Sequence, residues 1–178
     1  MPRNHGFTLW ELLWVLTIAA VLVGLGVPSL QTFLLDTRRT ADINGLVLAI
    51  QLARSEASKR GRPVVVCPSL DGRYCTAEPL YSAGWIVFVN TDDDRPPQRG
   101  DAEPLLLVYR PKIEGSITAN RGLFEFRPFR KRSTNGTVVF CDVRGPSAAR
   151  AVIVSYTGRP RVAPTSASGR PLVCAGLS

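Results

Sequence analysis

The 178 residues are enough for one modest globular core beside an N-terminal helix. The 22 Lys and Arg against 14 Asp and Glu give a net charge of +8, which favours acidic partners such as nucleic acid or anionic lipid. The only histidine is His5, which precedes the first hydrophobic segment, so the composition argues against enzymes that depend on imidazole, and we expect no catalytic residue and no cofactor.

A long apolar segment is the first predicted element, because no charged side chain occurs from Leu12 to Leu35. If the helix extends from Phe7 to Val27, about 21 residues at roughly 1.5 Å each give about 31 Å, which matches a hydrocarbon core of about 30 Å. A cleaved secretory signal is the alternative, but the apolar run is too long for one and no A-x-A site follows it. The sequence therefore predicts a membrane-spanning helix.

Two residues of this segment are unusual in a simple membrane anchor. Glu11 lies near its start, where an unpaired carboxylate is costly and usually marks a function or a fixed partner. Pro28 follows Gly24 and Gly26 at the far end, where proline is expected to kink or loosen a helix. Both residues indicate a role beyond anchoring.

The residues around Glu11 resemble a known processing signal. The stretch from His5 to Leu13, HGFTLWELL, is similar to the prepilin peptidase motif of type IV pilins and type II secretion pseudopilins. The resemblance implies that prepilin peptidase cuts between Gly6 and Phe7 and that the new N-terminus is methylated. It also implies that Glu11 pairs with the N-terminal amine of a neighbouring subunit in a filament.

This resemblance implies a division of the chain and a location for it. Residues 1–6 would form the leader peptide, residues 7–35 the transmembrane and assembly helix, and residues 36–178 the globular head. The implied partners are prepilin peptidase, other pilins and the inner membrane. The head of this single-pass protein would be periplasmic, and extracellular once the subunit is assembled into a pilus.

An amphipathic helix is predicted from about Asp36 to Arg60, because the apolar residues there recur at steps of three and four. Gly61 and Pro63 supply its end. The apolar stripe consists of Ile43, Leu46, Val47, Ile50, Ala53 and Ala57, and the polar residues outside it include Asp42, Gln51, Arg54 and Lys59.

Short β-rich segments follow Pro63 and are separated by clusters of Gly, Pro and Asp. We expect them to form one or two antiparallel sheets packed on the amphipathic helix. No internal repeat is expected, and the tail at Ala163–Arg170 has a low-complexity composition. The predicted strands are Val64–Cys67, Trp85–Asn90, Leu105–Tyr109, Leu123–Phe126, Thr137–Cys141 and Ala151–Ser155.

The head resembles a narrower group of proteins. The stretches LARSEASKRGRPVVVC, GWIVFVN, GTVVFC and VIVSYTGRPR are similar to the FimT/GspH group of minor pilins, and most similar to FimT. The resemblance covers nearly the whole chain. It implies an α+β type IV pilin fold, in which a long N-terminal helix packs on an antiparallel β-sheet head.

Four cysteines stand beyond the apolar segment, which would deliver them to an oxidising compartment. Four cysteines allow three pairings, and the spacings do not match the usual zinc sites, so no metal is expected. We favour Cys67–Cys75, which closes a short loop, and Cys141–Cys174, which ties a strand to the tail. The second bridge would present Tyr156–Arg170 as a mobile basic loop.

Positive charge is concentrated near the C-terminus. From Arg127 onward nine basic residues accompany one acid, Asp142, for a local net charge of 9 − 1 = +8. This distribution is typical of a phosphate-binding surface.

The stretch Gly158–Arg161, GRPR, is the most specific element of this region. Glycine permits a tight turn, proline stiffens it, and the two arginines can follow a polyanion. The alternative is a solvated turn with two surface arginines. The stretch resembles the GRxR motif of FimT proteins, DNA-binding minor pilins of natural transformation, and this implies that Arg159 and Arg161 contact DNA.

Five further basic residues complete the predicted DNA-binding set. The run from Phe126 to Arg132 interleaves aromatic and cationic residues, as single-strand binding platforms do, but its first phenylalanine is better explained as strand core. Contacts to the DNA backbone alone predict little sequence preference and, for about three phosphates, a log–log salt slope near −2.7. The five residues are Arg130, Lys131, Arg132, Arg144 and Arg150.

The acidic run Asp92–Asp94 is a weaker candidate site. Its carboxylates could supply calcium ligands, but Arg95 follows at once and no Glu completes an EF-type loop. We expect an ordinary acidic turn.

Three functions remain open from the sequence. The first is a minor type IV pilin that binds DNA for uptake in natural transformation. The alternatives are a minor pseudopilin of type II secretion and a purely structural minor pilin needed for pilus biogenesis. The helix and the leader are common to all three, so the surface of the head must distinguish them.

Overall fold

The structure, a computed structural model, describes residues 8–128 and 133–174, apart from the side chains of Leu25 and Pro28. The chain divides into two compact units, Met1–Thr37 and Arg38–Ser178. One α-helix, α1 (Leu9–Arg60), begins in the first unit and ends in the second, and the β-strands follow it.

In the first unit, α1 begins with a side-chain cap. The Thr8 Oγ1 accepts a hydrogen bond from the Glu11 backbone N–H at 3.3 Å. A threonine followed three residues later by glutamate is the sequence pattern of a capping box, so these two residues define the start of the helix. The helix continues through position 28, so the loosening expected at Pro28 does not interrupt it.

The apolar side chains of the first unit are exposed. Leu9 is 78% exposed and Phe33 is 64% exposed, and large apolar residues between them are exposed to a similar degree. Among the described residues, α1 is long and apolar enough to cross a membrane. Such a surface fits burial in lipid or against neighbouring helices.

In the second unit, α1 buries the apolar stripe that the sequence predicts. The helix ends at Arg60, and the Gly61 N–H donates to the Ala57 carbonyl at 3.1 Å. Gly61 has a φ of 65°, a conformation that favours glycine, so the predicted end of the helix is confirmed. The stripe residues that are at most 5% exposed are Ile43, Leu46, Ile50, Ala53 and Ala57.

Two four-stranded sheets follow α1, and all of their pairings are antiparallel. The strands are β1 (Val64–Pro68), β2 (Trp85–Val89), β3 (Leu105–Tyr109), β4 (Gly115–Ala119), β5 (Phe124–Phe126), β6 (Gly136–Asp142), β7 (Arg150–Val154) and β8 (Pro160–Ala163). Sheet A has the order β3-β2-β1-β5, and sheet B has the order β4-β6-β7-β8. The predicted α+β architecture is confirmed.

The six predicted strands agree with β1, β2, β3, β5, β6 and β7 to within one residue at each end. The sequence did not indicate β4 or β8. β4 has the sequence GSITA, with too few apolar residues to show an alternation. β8 begins with Pro160, which cannot donate to a sheet ladder and is tolerated as the first residue of an edge strand.

The main core lies between α1 and the two sheets. Tyr109 packs against α1 at Gly45, where an added Cβ would lie 2.4 Å from the tyrosine ring. The Tyr109 hydroxyl donates to the buried Asp42 carboxylate at 3.0 Å, and burial together with this hydrogen bond raises the pKa of Tyr109 to about 12. Asp42 also accepts from the Ile113 N–H at 2.7 Å, so one carboxylate ties the helix to the segment after β3.

The tail is attached to the face of sheet B that points away from α1, called here the outer face. Leu172 packs there in an apolar cluster with Ile153 of β7 and Ala163 of β8. Pro160–Ala163 pairs with β7 along its whole length. The expectation of a mobile loop over Tyr156–Arg170 is therefore wrong, because strand pairing and apolar packing hold this segment.

Two disulfides join the four cysteines. Cys67 is bonded to Cys75 with Cα atoms 5.6 Å apart, and Cys141 is bonded to Cys174 with Cα atoms 5.8 Å apart. This is the pairing favoured from the sequence. The second bridge fixes the tail to β6.

Candidate nucleic-acid interface

A hydrogen-bonded turn joins β7 to β8 and carries the first of the two predicted arginines. The Ser155 N–H donates to the Arg159 carbonyl at 3.1 Å, and the Gly158 N–H donates to the Ser155 carbonyl at 2.8 Å. The Ser155 hydroxyl accepts from the Arg159 N–H at 3.2 Å and lies 2.8 Å from the Thr157 hydroxyl. The backbone at Arg159 is thus fixed before any ligand arrives, which lowers the ordering cost of binding.

Gly158 is required at the centre of this turn for two reasons. Its φ is 71°, a conformation that side chains rarely adopt. An added Cβ would also lie 3.0 Å from the Phe126 ring and 3.1 Å from Arg54 Cδ. The glycine of the predicted motif therefore allows both the turn and its close packing on the head.

Arg159 and Arg161 are exposed, and within the described residues neither side chain has a hydrogen-bond or ion-pair partner. Arg161 pairs in register with Ile153 of β7, and Ala163, two residues later, is buried in the outer apolar cluster. Because side chains alternate along a strand, Arg161 lies on the outer face of sheet B. Both guanidinium groups are available to an anion.

Arg54 on α1 is a neighbouring cation that the sequence pattern places outside the apolar stripe of the helix. Its side chain is half-buried beside Gly158, and in the described part of the chain it has no ion-pair partner. The sequence contains a signal for this position: Arg54 follows Ile50 by four residues, so it lies on the same helix face as the buried stripe.

Arg144 and Arg150 are held by internal contacts instead. Arg144 donates to the Asp142 carboxylate through Nε at 3.0 Å and through Nη2 at 2.6 Å. Arg150 donates to the Ala149 carbonyl at 2.8 Å, at the end of β7 remote from the turn. The structure does not bring these two residues together with the turn arginines, and we leave them out of the proposed contact set.

Several predicted site residues lie outside the described residues. They are Arg130, Lys131 and Arg132 of the basic run and Gly6 and Phe7 of the cleavage motif. Their roles stay predictions.

Two carboxylates of the acidic run accept backbone hydrogen bonds from nearby residues of the same loop. Asp92 accepts from the Asp94 N–H at 3.2 Å, and Asp94 accepts from the Gln98 N–H at 2.9 Å. Over residues 8–128 and 133–174, no group of three His, Cys, Asp or Glu side chains is arranged to hold a metal ion.

Glu11 is exposed in the first turn of α1. A carboxylate there is favoured by the positive end of the helix dipole. Its pairing with the amine of a neighbouring subunit stays a prediction.

The fold defines a class of protein. A long N-terminal helix, apolar in its first part and packed on antiparallel sheets in its second, is the architecture of type IV pilins and pseudopilins. The structure is similar to the crystal structure of FimU, a type IV minor pilin of Pseudomonas aeruginosa strain PAO1, with a TM-score of 0.55. The match covers 76% of this chain and 98% of the FimU chain in that crystal structure at 17% sequence identity, so it shows a shared fold.

The family follows from the sequence of the head. The family model described as Type II transport protein GspH matches residues 42–158. The chain belongs to this family, and it is a minor pilin or pseudopilin. No curated protein matches it. The predicted FimT/GspH group is confirmed at the family level, while the closer likeness to FimT stays a prediction.

Membership of this family has three consequences. The family consists of structural pilins and pseudopilins and not of enzymes. It implies association with other pilins in a filament. The exposed apolar part of α1 fits an anchor in the inner membrane, with the head in the periplasm.

Proposed function

We propose that this chain is a minor type IV pilin that binds DNA for uptake in natural transformation, with Arg159 and Arg161 as phosphate contacts. The observation that carries the proposal is the β7–β8 hairpin. It holds two exposed arginines, without acidic partners among the described residues, on a turn and a strand of fixed geometry. Guanidinium groups of this kind bind phosphate in a bidentate manner.

Binding is the whole mechanism in this proposal. The filament carries the head outward, the arginines hold the phosphate backbone, and retraction of the filament brings the DNA inward. Contacts to phosphate alone carry no sequence information, so DNA of any sequence is bound. The proposal retains cleavage by prepilin peptidase between Gly6 and Phe7, methylation of Phe7, and pairing of Glu11 with the amine of a neighbouring subunit.

A second candidate is a minor pseudopilin of type II secretion. The observation that favours it is the description of the matching family as a type II transport protein. In that case the head contacts other pseudopilins or secreted protein, and the arginines form a solvated turn. DNA binding distinguishes the two candidates.

The test is a mobility shift of labelled duplex DNA with the full-length chain in a non-ionic detergent. The variant is the double substitution Arg159→Ala with Arg161→Ala. Each phosphate contact contributes roughly eightfold to affinity at 0.1 M salt through counterion release, so the double variant should bind about 60-fold more weakly.

Arg73 and Arg110 provide a matched control, because both are exposed arginines without ion pairs in the described part of the head and neither lies in sheet B. The control Arg73→Ala with Arg110→Ala removes the same charge and should bind within a few-fold of the wild type. Equal DNA binding by the two double variants would show that Arg159 and Arg161 do not form the binding site. A wild-type chain that binds no DNA at low salt would favour the secretion candidate.

A further inference from the structure

The tail repeats the turn that carries Arg159. Residues 155–162 read SYTGRPRV, and residues 166–173 read SASGRPLV, eleven positions further along. The two stretches share serine at the first position, a hydroxyl residue at the third, Gly-Arg-Pro at the fourth to sixth and valine at the eighth. The expectation that the sequence contains no internal repeat is therefore wrong: part of the low-complexity tail is a second copy of the motif.

The two copies have the same hydrogen bonds. The Ser166 N–H donates to the Arg170 carbonyl at 2.9 Å, where the corresponding Ser155–Arg159 distance is 3.1 Å. The Gly169 N–H donates to the Ser166 carbonyl at 3.0 Å, where the first copy has 2.8 Å.

The serine side chains and the glycines also correspond. The Ser166 hydroxyl accepts from the Arg170 N–H at 3.0 Å and lies 3.2 Å from the Ser168 hydroxyl, against 3.2 Å and 2.8 Å in the first copy. Gly169 has a φ of 79°, and Gly158 has a φ of 71°. Arg170 therefore occupies in the second turn the position that Arg159 occupies in the first.

The second turn lies over the outer face of sheet B, the face that carries Arg161. It borders a groove of about 550 Å³ whose lining residues include Arg170 and the hydroxyl-bearing residues Thr118, Thr137 and Ser168. Thr137 pairs with Ile153, and Ile153 pairs with Arg161, so the backbone of Thr137 is two strands, about 10 Å, from that of Arg161. Arg161 and Arg170 thus lie on the same face of sheet B.

The tail is fastened so that the second turn keeps its place. Leu172 is 6% exposed in the outer apolar cluster, and Cys174 is bonded to Cys141 of β6. Arg170 is exposed, and its Nε donates to the Ser168 hydroxyl at 3.0 Å. Within the described residues, the two terminal nitrogens of Arg170 have no protein partner.

We propose that Ser166–Arg170 is a second phosphate-binding turn, equivalent to Ser155–Arg159, and that a nucleic-acid backbone crosses the outer face of sheet B between Arg161 and Arg170. Arg170 contacts one phosphate, and the hydroxyl groups along the groove donate to others, as serine and threonine commonly do on DNA backbones. This inference rests on the proposed DNA-binding function and assigns a second contact site to it.

The experiment measures DNA affinity by fluorescence anisotropy at several salt concentrations, with the full-length chain in a non-ionic detergent and a labelled duplex. The substitution Arg170→Ala should lower the affinity about eightfold at 0.1 M salt and reduce the magnitude of the log–log salt slope by about 0.9. Arg159→Ala should have the same two effects. Arg170→Lys keeps the charge and should keep the wild-type slope.

Arg110→Ala is the control for the loss of one exposed arginine and should keep the wild-type slope. If Arg170→Ala behaves like Arg110→Ala while Arg159→Ala weakens binding, the second turn is only structural and this inference is overturned, but the proposed function stands. If the wild-type chain binds no DNA, both fail.

Discussion

Asp142 is a buried carboxylate that forms ion pairs with two arginines at one end of sheet B. It is 1% exposed, and it pairs with Arg144 at 2.6 Å and with Arg39 of α1 at 3.4 Å. Burial by itself would raise the pKa of Asp142, but the hydrogen bonds and charge of Arg144, with the charge of Arg39, lower it below its ordinary value near 3.8. At pH values above this ordinary pKa, the ionised carboxylate therefore stabilises the folded state. This stabilisation is lost as the pH falls through the lower folded-state pKa.

We expect Asp142→Asn to lower the free energy of unfolding by about 3 kcal/mol at neutral pH, because two arginines at a buried site lose their carboxylate. Urea unfolding of the full-length chain measures the difference. The difference should shrink as the pH falls below the ordinary value near 3.8, because the wild type then loses the same stabilisation as the pH approaches the lowered folded-state pKa of Asp142. The exposed Glu78 provides a control, since Glu78→Gln should have little effect. A difference that stays constant from pH 7 to pH 3 would contradict this explanation.

Individual residues were predictable where their chemistry is local. Cysteine spacing favoured the two disulfides, and the Gly-Arg-Pro-Arg stretch marked a turn that the structure contains. The internal contacts of Arg144 were not predicted, because the burial of their acceptor Asp142, which also accepts from Arg39 across 103 positions of the chain, is a property of the fold and not of the local sequence. Net charge alone cannot distinguish an arginine that pairs internally from one that is free to bind.

The edge strand β8 places a basic residue, Arg161, on the exposed surface of sheet B. Among the strands that the structure describes, only β7 pairs with β8, and Pro160 and Arg161 also protect its open edge, because proline and charged side chains discourage pairing with another sheet. The same two residues therefore serve the fold and, in the proposed function, the binding site. Because Pro160 and Arg161 also have this structural role, their position alone does not show that they bind DNA, and a binding measurement is needed.

The two turns provide a matched pair of glycine substitutions. Gly158→Ala should destabilise the protein more than Gly169→Ala, because both positions have positive φ but only the first is crowded by Phe126 and Arg54. Backbone strain should cost about 1–2 kcal/mol in each variant, and overpacking should add roughly 1–3 kcal/mol at the first position only. Thermal unfolding followed by circular dichroism measures both. Equal destabilisation would show that Gly158 is not tightly packed.

Elements with a clear hydrophobic period were predictable from the sequence, and elements defined by pairing were not. The stripe of α1 and the six apolar strands appear where the pattern places them. β8 contains four residues and begins with proline, so its strand character comes from the register with β7 and not from its own composition. The second Gly-Arg-Pro stretch is visible in the sequence, but a composition rich in serine, glycine and proline is typical of a disordered tail, and only the hydrogen bonds show that the stretch forms the same turn as the first.

The molecule as a whole joins an apolar helix to a head that carries its excess positive charge on the last third of the chain. The family and the fold were predictable from the sequence because the leader motif, the long helix and the strand pattern all indicate the same class. The choice between DNA and a secreted protein as partner was not predictable, because the heads of these relatives share one scaffold and differ on the surface.

The salt dependence of DNA binding by the wild-type chain tests the central claim most directly. Affinity should be measured for two duplexes of unrelated sequence over a range of salt concentrations, with the full-length chain in a non-ionic detergent. Three phosphate contacts, from Arg159, Arg161 and Arg170, predict a log–log slope near −2.7 and similar affinities for both duplexes. A slope near zero, or a strong preference for one sequence, would contradict binding through the phosphate backbone.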